Sequence, residues 1–196
     1  MEFPLFETLA IEQGKVCNIE LHQQRYERSL RAFYGNKSAV VLSKVFQLAE
    51  HIQVPQELNA EPLIRCRIDY NAEQIICRYF PYTRKTYRTF KPIVCDHIDY
   101  DLKYADRTLL NELLAQKGDC DEIIIIKNGY VTDCSIGNLI FRRGNQWFTP
   151  DTPLLEGTQR AKLLAQRRIK VRSILATDLD SFEEVRLINA LNGLED

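Results

Sequence analysis

Zinc-ligand spacing is missing from this chain. Its six cysteines, at positions 17, 66, 77, 95, 120 and 134, form no CxxC pair and no His-Cys cluster with zinc-ligand spacing. Several lie inside strand-like segments, as in Arg65-Cys66-Arg67 and Ile76-Cys77-Arg78, which points to small buried hydrophobes in a reducing compartment rather than a disulfide framework. Long apolar runs are also scarce. None exceeds four residues, as in the four isoleucines at 123–126, against the roughly 20 residues a membrane helix needs. The opening MEFPLFETLA carries no basic segment of the secretion-signal kind. Neither sign of charge dominates, with 26 Lys and Arg against 27 Asp and Glu, so no global field selects nucleic acid or an anionic membrane. There is no internal repeat and no low-complexity linker. A cytoplasmic, soluble protein with neither nucleic acid nor membrane as partner, and no metal site, is expected.

What is present is a mixture of strand and helix patterns. Residues 6–11, FETLAI, alternate, and 12–15 carry a glycine before 16–19, which predicts a β-hairpin. In 20–35, Leu21, Tyr26, Leu30 and Phe33 recur near helical spacing and Gly35 supplies a stop. His22, Arg25 and Ser29 form a second, polar face on that helix. Ser38 is placed to cap a helix over 39–53 that ends at Val54-Pro55. Strand-like segments follow at 63–70, 74–82 and 86–95, their basic residues alternating with apolar ones as on a solvated sheet face. The expectation is a small α+β lobe over 1–95 and a larger lobe over 96–196.

The stretch 103–141 is the most informative. Lys103 precedes a predicted helix over 105–116, and the positive end of a helix dipole disfavours an ammonium and favours an amine nucleophile. An ordinary surface lysine would look the same. Asp121-Glu122 leads into 123–126, apolar enough to be buried on both faces, and Asn128-Gly129 turns the chain into Tyr130-Val131-Thr132-Asp133. An acid so close to a buried strand needs a cationic or hydrogen-bonding partner. A protonated pyridine nitrogen would serve, and so would a turn capped over Ser135 and Gly137.

Residues 121–141 resemble the D-E-strand, N/D-G turn, V-T-E-x-S-x-x-N-l-F signature of the class IV aminotransferases, the fold-type-IV pyridoxal-phosphate (PLP) enzymes. That family includes branched-chain and D-amino-acid aminotransferases and 4-amino-4-deoxychorismate lyase. Further matches run in the family's order: Phe6-Glu7-Thr8, His22-Gln23-Gln24-Arg25, the Lys103 segment, Thr149-Pro150, Leu155-Glu156-Gly157-Thr158-Gln159-Arg160 and Glu184 through Leu191. The resemblance implies a two-lobe α+β, α/β fold with the cofactor in a cleft between lobes, and a homodimer. It implies that Lys103 forms the internal aldimine and shuttles protons, and that Arg25 clamps the cofactor phosphate. Thr158 and Gln159 would bind that phosphate through backbone amides, Asn189 and Ala190 would form a further phosphate-side turn, and Asp133 would face the pyridine nitrogen. Taken without the family, Arg25 is a helix-surface residue, Thr158 a helix N-terminal residue and Asn189 a turn residue.

Departures from the pattern are specific. Asp133 stands where the family has glutamate, Gln159 where it has a hydroxyl-bearing threonine, and Glu2-Phe3-Pro4 where it has a glycine-rich turn. The chain reads as a shortened member. The expected activity is that of a PLP-dependent aminotransferase acting on an amino acid or amino-deoxy small molecule. The alternatives are an aminodeoxychorismate-lyase-type elimination releasing pyruvate, and a PLP-binding or inactive paralogue.

Overall fold

The computed structural model describes residues 2–35 and 45–195. Two compact units emerge, one comprising Met1–Thr83 with Leu102–Asp106, the other Arg84–Asp101 with Arg107–Asp196. Among the described residues no helix is long and apolar enough to cross a membrane.

The first unit is an antiparallel sheet in the order β2-β1-β3-β4, formed by β1 (Leu5–Glu12), β2 (Lys15–Val16), β3 (Leu63–Tyr70) and β4 (Ile75–Pro81). Alternation along β1 sends Leu5, Glu7, Leu9 and Ile11 to one face, where all four side chains are buried. Strand register places Ile68, Cys66 and Ile64 opposite Glu7, Leu9 and Ile11, so the same face continues across β3. Helix α1 (Ile19–Tyr34) lays Tyr26 and Leu30 into this core, with the Tyr26 ring edge-on to Tyr70 at 4.8 Å. Gly35, at φ 61°, ends the helix by donating its N–H to Arg31 O. The expected hairpin is present but shorter than its pattern. Gln13 and Gly14 both take positive φ, as a two-residue primed turn requires, and after β2 the chain enters α1 at Ile19 rather than extending as strand.

Much of the helix expected over 39–53 lies outside the described residues. Within them only α2 (Leu48–His51) is helical, and Ile52 is extended. The segment around Lys103 also belongs to this unit, because it pairs with β1. Phe6 N donates to Lys103 O at 3.0 Å, Ala105 N donates to Pro4 O at 2.7 Å, and Leu5 bridges Tyr104. These bonds join 102–106 to the N-terminal strand, so a division at 95/96 with Lys103 in the later unit is not the one observed.

The second unit holds two sheets. One has the order β5-β6-β7, with β5 (Phe90–Val94) parallel to β6 (Glu122–Lys127) and β7 (Tyr130–Val131) antiparallel to it. Strand β5 therefore joins the isoleucine strand rather than β3 and β4, so the third strand-like segment falls outside the unit that holds most of the lobe expected over 1–95. Flanked on both edges, Ile123 to Ile126 are fully buried, as a run without alternation predicts. The other sheet has the order β10-β9-β8-β11, from β8 (Asn138–Arg143), β9 (Gln146–Pro150), β10 (Ile169–Arg172) and β11 (Glu184–Ile188). Phe141, Leu139, Ile124, Ile126, Val131 and Leu187 share one core. Helix α3 (Thr108–Leu114) begins later than predicted, so Lys103 stands five residues before it and the dipole argument for that lysine does not apply. Helix α4 (Thr158–Ala165) begins directly after Gly157.

Candidate active site

Each unit gathers part of the expected set. In the first, β1 and α1 face each other across a buried ionic cluster. Glu7, fully buried, accepts at Oε1 from Arg25 Nε (2.8 Å) and at Oε2 from Arg25 Nη2 (2.5 Å). The same Oε2 meets His22 Nδ1 at 2.8 Å. An ionised carboxylate only accepts, so Nδ1 carries the proton of this pair. Burial alone would raise the Glu7 pKa, but the charge and hydrogen bonds of Arg25 and the His22 bond outweigh it and hold Glu7 down to about 2. Burial lowers the pKa of His22, Glu7 opposes the shift, and the positive charges of Arg25 and Lys103 add to it. Arg25, His22, Glu7 and Lys103 thus lie within one electrostatic neighbourhood. Lys103 is half-buried, its Nζ 4.7 Å from the centroid of Phe6, whose ring also carries the Arg67 guanidinium at 3.9 Å.

The polar face of α1 is therefore no solvent face. His22, Arg25 and Ser29 are all buried, since the inward parity of β1 brings a carboxylate to meet two of them. Glu7 was not singled out from the sequence as a functional residue. Its signal was the alternation itself, which puts a charged residue among three inward apolar ones.

In the second unit the turn from β7 to β8 organises the rest. Asp133 is buried, pairs with Asn138 across an isolated bridge, and accepts Asn138 Nδ2 at Oδ1 at 2.7 Å. Its Oδ2 accepts the backbone N–H groups of Leu154 (2.9 Å) and Leu155 (3.0 Å). Burial raises its pKa to about 6, against the opposing bonds from Leu155, Asn138 and Leu154 and the charge of Arg160. The alternative, a cap over Ser135 and Gly137, is not what forms. Ser135 instead gives its hydroxyl to buried Glu122 Oε2 (2.7 Å), and its carbonyl accepts Arg107 Nη2 (2.7 Å).

Two glycines allow close approach here. A Cβ on Gly157 would overlap Oδ1 of Asn138, and a Cβ on Gly137 would lie 2.5 Å from the Ile188 carbonyl oxygen. The start of α4 and the end of β11 are thereby packed against the Asp133–Asn138 turn. Thr158 is buried at the first position of α4, and Gln159, half-buried, follows it. Asn189, just past β11, accepts at Oδ1 from the N–H groups of Leu191 and Asn192, both at 2.9 Å, and donates to Ile136 O at 3.3 Å. Its side chain shapes the turn that presents Ala190. Asn138 was present in the sequence signature but given no role, and its position five residues after the acid was the available signal.

This order of elements and motifs is that of a known family, whose model, Amino-transferase class IV, matches residues 4–194. The chain belongs to the class IV aminotransferase family. A Haemophilus influenzae protein of undescribed activity is 62% identical over 192 residues, covering 98% of this chain and all of its own length. A Haemophilus somnus crystal structure, described as a candidate 4-amino-4-deoxychorismate lyase, is 60% identical with TM-score 0.93, covering 99% of both chains. A Mycobacterium tuberculosis protein, described as a hypothetical aminotransferase and solved in a PLP-bound form, shares the fold at 16% identity with TM-score 0.72, over 98% of this chain and 79% of its own. Class IV members are PLP-dependent aminotransferases or aminodeoxychorismate-lyase-like enzymes, and this chain has their mixed α/β fold. The mixed fold expected from the sequence is thus the family's.

Proposed function

We propose that this protein binds pyridoxal 5'-phosphate and uses it to release pyruvate from a 4-amino-4-deoxychorismate-type substrate. The observation that carries the cofactor reading is Asp133. Three donors occupy three of the roughly four acceptor directions of a carboxylate, and burial still leaves its pKa at about 6. Such a group calls for one more, cationic, partner, and a protonated pyridine nitrogen has that chemistry. The chain's other groups suit the remainder of the cofactor. Arg25 is a guanidinium whose plane is set by its side-on pair with Glu7, and Thr158 and Gln159 supply backbone N–H groups in the first turn of α4.

In this reading PLP, when bound, supplies the electron sink. Lys103 would hold it covalently through Nζ until the substrate amine displaced that bond, and the freed amine would then move the proton at the substrate Cα, while the Phe6 ring beneath Nζ limits the directions that amine takes. Arg25 would hold the phosphate, and Asp133 would keep the ring nitrogen protonated. Asn138 and the Leu154 and Leu155 amides keep Asp133 from turning away.

The lyase reaction is supported by the description of the 60% identical relative. Transamination of an amino acid is the second reading, supported by the family's own description. A homodimer is part of the proposal by family resemblance alone. Purified protein given PLP should gain a visible absorbance band that borohydride bleaches, with the reduced adduct on Lys103 and absent from Lys103→Ala. A protein that takes up no PLP sinks both readings. Pyruvate formed from aminodeoxychorismate without added keto acid favours the lyase, and amino-group transfer from an amino acid to a keto acid favours the transaminase.

A further inference from the structure

We infer that Glu7 is a positioning residue that sets the Arg25 guanidinium for the phosphate, an inference resting on the cofactor reading above. Glu7 is fully buried on the inward face of β1 and spends both oxygens on α1, on Arg25 and on His22. Arg25 and His22 are three residues apart, hence neighbours on one helix face. One carboxylate therefore grips α1 at two points and fixes the helix rotation against the sheet. The side-on fork takes the Nε and Nη2 edge of Arg25, which commits the guanidinium plane. A side chain held this way loses less freedom when it binds. Glu7 also offsets the charge of Arg25 in a neighbourhood that holds Lys103 as well.

The opposite role is physically possible and has the opposite sign. Were Glu7 a competitor for Arg25, its removal would strengthen phosphate binding.

Titration of the cofactor-free protein with PLP and with pyridoxal, which lacks the phosphate, separates these roles without an activity assay. In Glu7→Gln, PLP affinity should fall roughly tenfold or more while pyridoxal affinity changes by less than about twofold. Glu7→Asp, which keeps the charge but shortens the reach, should fall between, and it carries the comparison should Glu7→Gln fail to give a native circular dichroism spectrum. The double variant Glu7→Gln/Arg25→Lys should lose no more than Arg25→Lys alone, since Glu7 acts through Arg25. Unchanged or tighter PLP binding, equal losses for both compounds, or additive losses would each overturn the inference. Wild-type protein that binds neither compound defeats the cofactor reading itself, a different outcome from any of these.

Discussion

Asn138 donates through Nδ2 to Oδ1 of Asp133 at 2.7 Å and to the Leu155 carbonyl at 2.8 Å, so one amide ties the acid to the loop whose backbone N–H groups bind its other oxygen. The acid is held by neutral donors, and burial still raises its pKa to about 6 from an ordinary 3.8. A raised folded-state value stabilises the fold below about pH 4, and that contribution is lost as pH rises through 6. In the cofactor-free protein, urea midpoints from pH 4 to 7.5 should show this loss, on the order of 2–3 kcal/mol, and Asp133→Asn should lack it. PLP should diminish the loss in wild-type protein, because a cationic partner draws the Asp133 pKa back down.

Gly157 has an ordinary extended backbone, φ −74° and ψ 143°, so alanine there meets no conformational objection. The obstacle is Oδ1 of Asn138. Gly157→Ala should destabilise by about 1–3 kcal/mol in chemical denaturation. Adding Asn138→Ala should cost less in the Gly157→Ala background than in wild type, because it removes the obstructing group. Additive losses would place the cost elsewhere.

Glu7→Gln should lower stability by roughly 3 kcal/mol at pH 7, because Arg25 is left buried beside a neutral amide. Glu7 is held down to about 2 from an ordinary 4.5. A depressed folded-state value stabilises above pH 4.5 and fades as pH falls through 2, so the gap between the two proteins should narrow over that range. A gap that stays constant with pH would mean that packing rather than charge accounts for the loss.

Gln13 occupies the first positive-φ position of the β1–β2 turn, at φ 48°. Asparagine adopts that conformation more readily. Gln13→Asn should raise the thermal midpoint, by roughly 0.5 kcal/mol in stability, and Gly14→Ala, at φ 77° with open space around it, should lower stability by about 1 kcal/mol from backbone strain alone.

Much of this was legible from local pattern. The span of β3, the start of the isoleucine strand, the stop at Gly35 and the order of motifs from Phe6 to Leu191 depend on neighbouring residues, because periodicity, turn chemistry and caps act within a few positions. The same pattern could mislead. A polar stripe of His22, Arg25 and Ser29 on α1 looks like a wet face, and it is buried because Glu7 lies across from it.

The sequence by itself determined the family, the elements and the residue types available for chemistry: a lysine, an arginine, an acid beside a buried strand, and a glycine before a helix. Only the tertiary structure decided where those residues spend their polar groups. It took 102–106 onto β1, put β5 beside β6, and closed Asp133 with Asn138 and the Leu154 and Leu155 amides. The physical reason is that burial demands a partner for every charge and every backbone donor. Those partners come from segments distant in the chain, where local periodicity carries no information.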